Sequence, residues 1–325
     1  MPKPRRIYVR KHKYSQKLRA NVKLACKFAE AKQVCPRRKH IIKNRTMTKK
    51  HDIIWLDSTD STNDELRRHI CDIDNLSVTA ALEQTAGKGQ RGNKWHSARG
   101  KNLLFSIALK FDDLTGPHFQ AYDQFSINEM AALSVVDFLA AHSIKAKIKW
   151  PNDIYVNDRK ICGMLIENSI QAGRISWSIV GIGINVNQTE FSRDTGNPTS
   201  MALETTSDST SAPEELDIRE ALQEFMDIFK GYMNRYLHIS GGLGKLHLLY
   251  LAQLWRINEN HRFRDYRATP AGHHEGPMGI LTETGDSARI FRGKITGVSD
   301  VGQLVVEEED GTISEFGFKE IGYIL

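Results

Sequence analysis

The stretch "SVTAALEQTAGKGQRGNKWHSARGKNLLFSIALKF" (residues 77–111) decides the fold class. It begins and ends with apolar segments typical of strands, and between them Gly87, Gly89 and Gly92 fit the G-x-G-x-x-G pattern of a dinucleotide-binding turn. Such a turn leads into a crossover helix, but residues 93–101 have no apolar periodicity and are too short to cross a sheet. The pattern therefore predicts a different glycine-rich loop, which carries three glycines, several cations and a tryptophan.

The remaining chain up to about residue 260 alternates short strands with a few helices. Apolar runs and alternation predict strands at 53–56, 77–84, 102–111, 146–150, 153–156, 160–168 and 175–186. Helical spacing predicts helices at 62–70, 123–142, 216–237 and 243–255, and the apolar stripes of the last two are expected to face the core. Thr62 and Glu65 are spaced as a capping box, whereas the polar segment 187–213 predicts a long loop. The fold class is mixed α/β.

The C-terminal part changes character at about residue 261. From there the sequence consists of short strand-like segments separated by turns, among them 276–281 and 288–299. Asp310-Gly311 is a strong hairpin signal. We expect residues 51–260 to form one domain and residues 261–325 a small barrel of the SH3 type.

The N-terminal residues 1–50 carry 18 Lys and Arg and a single acid, Glu30, within a chain whose net charge is +6. They are expected to form a disordered basic extension, and Met47, which precedes the change to globular composition, is an alternative start. Nucleic acid or an anionic membrane surface could attract such a segment, but it lacks the periodic helices of a DNA-binding domain, so nucleic acid binding is not expected.

Composition limits the compartment and the chemistry. The sequence has no run of about 18 apolar residues and no apolar signal-peptide core, which favours a cytoplasmic protein without a membrane partner. Its four cysteines lie far apart without a C-x-x-C pair, which argues against a structural zinc site.

Two further stretches carry polar groups that an ordinary sheet does not need. "KWPND" (149–153) is followed by Lys160 on a strand that contains Gly163. "GIGIN" (181–185) places two glycines inside an apolar strand, where they weaken the sheet unless another group approaches closely. Together they predict a flat ligand lying on the sheet beside a lysine.

The ordered set of motifs is more specific than any one of them. "DSTDSTNDEL" (57–66), "QTAGKGQRGNKWHS" (84–97), "KWPNDIYVNDRKICGMLIE" (149–167), "GIGINVN" (181–187) and "NPTSM" (197–201) closely resemble the biotin protein ligases. The resemblance covers about 51–325. It implies a mixed sheet with helices mainly on one face, related to the catalytic domain of class II aminoacyl-tRNA synthetases, and a small C-terminal SH3-like barrel.

The resemblance also implies roles for individual residues. Biotin would be bound by Ser61, Thr62, Asn63, Gln84, Lys88, Gly89, Gln90, Trp95, Lys160 and Gly163. ATP and the adenylate would be bound by Arg91, Gly92, Lys149, Asn152 and Asn185, with Lys160, Arg91 and Lys88 as the catalytic cations. Lys88 and Gln90 stand where related proteins often have arginine, and Gln90 lacks the charge of an arginine.

The implied reaction has two steps. Biotin attacks the α-phosphorus of ATP to give biotinyl-5′-AMP and pyrophosphate, and a lysine of a biotin carboxyl carrier protein then attacks the activated carbonyl. ATP with Mg²⁺ and biotin are substrates, and neither a fixed protein metal site nor a tightly bound prosthetic group is expected. The enzyme would be a monomer or a homodimer. Lipoate or octanoate ligation and a biotin-sensing DNA-binding repressor are the alternatives.

Overall fold

The structure is a computed structural model that describes residues 53–111, 119–192, 195–205, 215–237, 239–267 and 288–324. The expectations for residues 1–50, for a start at Met47 and for a strand at 276–281 therefore lie outside the described residues.

The elements follow one another in the predicted order. The strands are β1 (Ile53–Leu56), β2 (Val78–Ala81), β3 (Leu103–Lys110), β4 (Lys147–Lys149), β5 (Asp153–Val156), β6 (Arg159–Gln171), β7 (Arg174–Ile184), β8 (Asn260–Asp265), β9 (Arg289–Val298), β10 (Leu304–Glu308), β11 (Ile313–Phe316) and β12 (Ile321–Ile324). The helices are α1 (Thr62–His69), α2 (Gln124–Ala141), α3 (Met201–Thr205), α4 (Ile218–Tyr232) and α5 (Gly242–Ala252). A π-helical turn, Met233–Leu237, continues α4.

Strands β1 to β7 form one mixed sheet in the order β1-β2-β3-β7-β6-β5-β4. Only the β1–β2 pair is parallel in this sheet, and β2 is antiparallel to β3. Residues 82–102, which join β2 to β3, contain a short 3-10 turn and no crossover helix. The rejection of a dinucleotide-binding fold is thus confirmed, and so is the mixed α/β class.

The two faces of this sheet differ because side chains alternate along each strand. On one face Val180, Ile182 and Ile184 of β7 join a large apolar core that includes buried side chains of α2, α4 and α5. On the other face a small cluster forms where Leu66 of α1 packs near Ile179. The large helices lie on one face, and α1 lies on the face that carries the glycines of β7.

The C-terminal strands form a separate five-stranded antiparallel sheet in the order β11-β10-β9-β8-β12, consistent with an SH3-like unit. The predicted hairpin at Asp310-Gly311 is confirmed, since Gly311 has φ +81° and joins β10 to β11. This sheet contacts the first one through Trp150, whose indole N–H donates to the Gly302 carbonyl at 3.0 Å. The domain boundary at 260/261 stays a prediction.

Two local predictions are wrong. The N-cap of α1 is Ser61 and makes no side-chain capping bond, so Thr62 and Glu65 form no capping box. The reason is that Thr62 turns its hydroxyl into the sheet, where other polar groups bind it. The segment 187–213 contains the short helix α3, which is too short to show a periodic pattern.

Within the described part of the chain, none of the helices is both long and apolar enough to cross a bilayer.

Candidate functional site

A group of four polar side chains lies between α1 and the sheet, and we call it the amide pocket: the buried Thr62, Asn63 and Ser106 with the half-buried Gln84. The Gln84 Oε1 atom accepts hydrogen bonds from the Thr62 backbone N–H at 2.8 Å and from its hydroxyl at 3.2 Å. The Ser106 hydroxyl lies 2.7 Å from Thr62 Oγ1 and 2.6 Å from Asn63 Oδ1. Polar groups held this firmly present fixed donors and acceptors to a polar ligand.

Asn63 approaches the sheet closely at a position where β7 has glycine. A Cβ atom at Gly181 would lie 2.1 Å from Asn63 Oδ1, so the Asn63 side chain would have to move to admit it. The Asn63 amide also donates to Glu167 Oε2 at 2.9 Å and to the Leu165 carbonyl at 3.2 Å. Ser61, directly before α1, is 2% exposed, and its backbone N–H bonds to Asp60. The missing side chain at Gly181 leaves room for Asn63, which explains the first glycine of "GIGIN".

The loop Gly87–Trp95 forms a hairpin-like flap. Gly89 N–H donates to the Asn93 carbonyl at 2.7 Å, and Trp95 N–H donates to the Gly87 carbonyl at 2.9 Å. At its tip Gln90–Gly92 makes a 3-10 turn, and Gly92 adopts φ +85°. The flap is thus an ordered element with its own backbone hydrogen bonds.

The predicted cations of the flap have different surroundings. The Lys88 ammonium forms an ion pair with Asp64 of α1. Arg91 lies in the tip turn, and its side chain is outside what the structure describes. Gln90 is half-buried in the same turn. The flap is therefore tied to α1 by Lys88.

Trp95 covers two neighbouring strands at positions where both have glycine. Gly163 of β6 and Gly183 of β7 are paired in register. A Cβ at Gly183 would lie 2.6 Å from Trp95 Cε2, and one at Gly163 would lie 3.0 Å from Trp95 Cζ3. The indole Nε1 atom is buried and has no hydrogen-bond partner among the described residues. The planar group on the glycines of the sheet is thus an indole in this structure.

The ammonium of Lys160 lies over this indole. Its Nζ atom is 5.7 Å from the centre of the Trp95 ring and 2.7 Å from Asp153 Oδ1. Its backbone pairs with residues 197–199, because Lys160 N–H donates to Asn197 O and Thr199 N–H donates to Lys160 O, both at 2.8 Å. A lysine held at both its backbone and its ammonium supplies a fixed positive charge.

The two predicted asparagines are buried, and their amides bond to backbone carbonyls. Asn152 donates to the Met164 carbonyl. Asn185 donates to the Thr199 carbonyl at 2.9 Å. It comes directly after the end of β7, two residues beyond Gly183 and four beyond Gly181. The alternate residues 181, 183 and 185 of this motif therefore lie in a row on one face of the sheet.

Lys149 lies in an aromatic cage, a name we use for Lys149 with Tyr155, Trp255 and Tyr323. Its Nζ atom donates to the Tyr155 hydroxyl at 3.0 Å and lies 4.4 Å from the centre of that ring. The corresponding distances are 5.3 Å to Trp255 and 5.2 Å to Tyr323. Burial lowers the pKa of Lys149 to about 8.

Sequence reasoning missed several of these contacts. Ser106 and Glu167 belong to the amide pocket or bind it, and Tyr323 and Trp255 reach Lys149 from distant parts of the chain. Only Ser106 had a usable signal, because it is a single hydroxyl within an apolar strand. Among the described residues, no group of three or more His, Cys, Asp or Glu side chains is placed to hold a metal ion.

Comparison with known proteins agrees with this arrangement. The family model described as Biotin/lipoate A/B protein ligase family matches residues 55–185. That segment contains the amide pocket, the flap and the strands that bear Lys160 and the glycines. Fold and site together define a protein ligase of the biotin or lipoate class.

Individual relatives narrow the class. Bifunctional ligase/repressor BirA of Bacillus subtilis is 30% identical over 262 residues, which cover 80% of this chain and 69% of the relative. Biotin–[acetyl-CoA-carboxylase] ligase of Paracoccus denitrificans is 32% identical over 131 residues, 39% of this chain and 52% of the relative. The biotin protein ligase from Aquifex aeolicus, solved in complex with biotin and ATP, has the same fold with a TM-score of 0.59 at 24% identity, covering 83% of this chain and 97% of that one. The chain belongs to the biotin protein ligase family and is a ligase.

Proposed function

We propose that this ligase activates biotin with ATP as biotinyl-5′-AMP and transfers the biotinyl group to a lysine of a biotin carboxyl carrier protein or domain. The observation that carries the proposal is the position of Lys160, 5.7 Å from the centre of the Trp95 ring above the paired glycines. The flat ring system of biotin would lie against the glycine surface of the sheet and the Trp95 ring, and its carboxylate would lie near the Lys160 ammonium.

The amide pocket suits the ureido ring of biotin. A ureido group has one carbonyl acceptor and two N–H donors, and the pocket offers the hydroxyls of Thr62 and Ser106 together with the amides of Asn63 and Gln84. We assign Ser61, on the N-terminal side of the helix, to the same subsite. The flap residues Gly89, Gln90 and Trp95 would close over the bound ring.

The first step brings two anions together, so its barrier is lowered mainly by positive charge and alignment. The biotin carboxylate forms a bond to the α-phosphorus of ATP, and the bond to pyrophosphate breaks. Lys160 would neutralise the carboxylate and the α-phosphate, while Lys88 and Arg91 of the flap and Lys149 supply further charge. Asn152, Asn185 and Gly92 would line the nucleotide side, Gly163 would lie beneath the bound biotin, and Mg²⁺ would enter with ATP.

The second step needs no nucleophile from this chain, because the acceptor lysine attacks the mixed anhydride itself and AMP leaves. We expect the ligase to act in the cytoplasm as a monomer or a homodimer. The name of the Bacillus subtilis relative also includes a repressor activity. Our prediction against DNA binding rests on residues 1–50, which lie outside the described residues.

Exchange of pyrophosphate with ATP tests the substrate. We expect exchange with biotin and none with lipoate or octanoate. Lys160→Ala should reduce biotin-dependent exchange by at least about a thousandfold while the protein stays folded, since the cation nearest the reacting anions is removed. Lys147→Ala is the matched control, because Lys147 is an exposed lysine on the edge strand β4 of the same sheet and bonds to Gln253. Exchange with lipoate alone, or a Lys160→Ala variant as active as Lys147→Ala, would contradict the proposal.

A further inference from the structure

Asn63 of the amide pocket lies over Gly181, between the two strands that pair with β7. Ser106 of β3 and Leu165 of β6 are the register partners of Gly181 on either side. Asn63 is buried, and Ser106 is buried completely. The Asn63 side chain therefore meets a hydroxyl on one side and a backbone carbonyl on the other.

The Asn63 carboxamide can take only one orientation. Its Nδ2 atom lies 3.2 Å from the Leu165 carbonyl and 2.9 Å from Oε2 of Glu167, which is also paired with Arg67. A backbone carbonyl and an ionised carboxylate can only accept, so the group that faces them must be the NH₂. The Oδ1 atom then faces Ser106, and because an amide oxygen carries no proton, the Ser106 hydroxyl must donate to it at 2.6 Å.

The single proton of the Ser106 hydroxyl is thus used by Asn63. The contact of 2.7 Å between Ser106 Oγ and Thr62 Oγ1 must then be made by the Thr62 proton. Gln84 Oε1, at 3.2 Å from the same hydroxyl, is also an acceptor, so Thr62 can share its proton between these two groups. In both arrangements the Thr62 proton points into the protein, and Thr62 Oγ1 meets a ligand with its lone pairs.

Gln84 supplies the complementary group. Its Oε1 atom accepts from the Thr62 backbone N–H at 2.8 Å, so its NH₂ is turned away from α1. The Nε2 atom would lie 3.2 Å from a Cβ at Gly87, the first residue of the flap. The pocket therefore presents an acceptor on Thr62 and a donor on Gln84. A cyclic urea, whose carbonyl is flanked by N–H groups, matches this pattern.

We infer that Ser106 is a positioning residue for ligand selection: its hydroxyl fixes the direction of the Thr62 proton, so that Thr62 accepts a hydrogen bond from a ring N–H of the ligand. Because Ser106 is completely buried, it acts through Thr62 without touching the ligand. The inference rests on the proposed binding of biotin in the amide pocket and extends it to the donors and acceptors that the pocket selects. A ring oxygen in place of the N–H would set lone pairs against lone pairs.

Direct binding by titration calorimetry tests this inference with biotin and the two cyclic carbamates in which one ring N–H of biotin is replaced by oxygen. The wild type should bind the weaker of the two carbamates at least about a hundredfold less tightly than biotin. In Ser106→Ala the Thr62 hydroxyl keeps only its longer contact with Gln84 and can rotate to donate to the ligand. The Kd for biotin should rise about tenfold, the discrimination should fall to about tenfold, and the Kd for MgATP should stay unchanged.

Ser178→Ala is the matched control. Ser178 lies on β7 of the same sheet, is completely buried, and donates to Asn168 Oδ1 at 2.7 Å, so the substitution removes the same kind of hydrogen bond outside the amide pocket. This variant should bind biotin and discriminate against the carbamates as the wild type does. Ser106→Cys keeps a side chain of similar size with a weak donor and should fall between the wild type and Ser106→Ala.

The outcomes separate this role from the proposed function. If Ser106→Ala loses affinity for biotin and both carbamates by the same factor, keeps the wild-type discrimination, or behaves as Ser178→Ala does, the role of Ser106 is overturned. Where Ser106→Ala fails to fold, Ser106→Cys is judged by the same criteria. A wild-type protein that binds no biotin would contradict the proposed function itself, whereas tight biotin binding with unchanged discrimination in the Ser106 variants would contradict this inference alone.

Discussion

The two faces of the seven-stranded sheet use the same strands for opposite purposes. Along β7 the residues facing the helical layer are large, and Val180, Ile182 and Ile184 are each no more than 3% exposed. The alternate positions on the other face are Gly181 and Gly183, over which Asn63 and the Trp95 indole lie. One face gains stability from side-chain volume, whereas the other gains a binding surface because that volume is missing.

Removing volume from the helical face should give the largest change in stability. Ile182→Ala takes a fully packed side chain from the core and should lower the free energy of unfolding by about 2–5 kcal/mol. Denaturation by urea measures this loss, and Ile182→Val, which deletes one methylene, should cost only about 0.5–1.5 kcal/mol. A loss for Ile182→Ala no larger than that for a substitution at Gly181 would contradict the division between the faces.

Adding volume to the glycine face should impair biotin use more than stability. In Gly181→Ala the new Cβ overlaps Asn63 Oδ1, so the Asn63 amide must leave its place against Ser106 and Glu167. We expect kcat/KM for biotin in pyrophosphate exchange to fall at least about tenfold, with a cost in unfolding of about 1–3 kcal/mol.

A double-mutant cycle shows whether this effect acts through Asn63. In an Asn63→Ala background the carboxamide is gone, so Gly181→Ala should cause little further loss of kcat/KM. The two substitutions share one cause and their effects should not add. Full additivity would mean that Gly181 acts by another route.

Features set by local contacts could be predicted from the sequence, whereas features set by contacts between distant parts of the chain could not. Strand and helix positions followed from periodicity, and "GIGIN" correctly indicated a close approach to the strand. The identity of the approaching groups did not follow, because Asn63 and Trp95 arrive from elements far away in the chain. The capping box failed because tertiary hydrogen bonds to Ser106 outweighed a local capping preference for Thr62. The cage around Lys149 had no local signal at all.

The two faces should also respond to pH through different groups. In the helical layer Glu129 of α2 is 2% exposed, and its Oε1 lies 2.5 Å from Nδ1 of His247 on α5. Burial raises the pKa of Glu129, although His247 opposes this. The hydrogen bond that the His247 ring donates to the Glu129 carboxylate raises the pKa of His247 despite partial burial. On the glycine face, the pH-sensitive group we identify is Lys149.

Both shifts in the helical layer make the folded protein bind protons more tightly than the unfolded chain, so stability should fall as pH rises. The contribution of His247 is fully present below its unfolded pKa of about 6.5 and is lost as pH passes its higher folded value. The contribution of Glu129 is lost in the same direction, from about 4.5 upward. Urea denaturation at a series of pH values measures the slope, and Glu129→Gln should flatten it.

The matched control is Glu224→Gln, which removes the pair between Glu224 and His142 in the same helical layer. Its carboxylate is 43% exposed, so water screens the interaction and the slope of stability against pH should stay as in the wild type. Because both substitutions lie in the helical layer, biotin-dependent pyrophosphate exchange should be unchanged in both variants. If Glu129→Gln lowered this exchange, or left the slope of stability against pH unaltered, the proposed separation between the two faces would be contradicted.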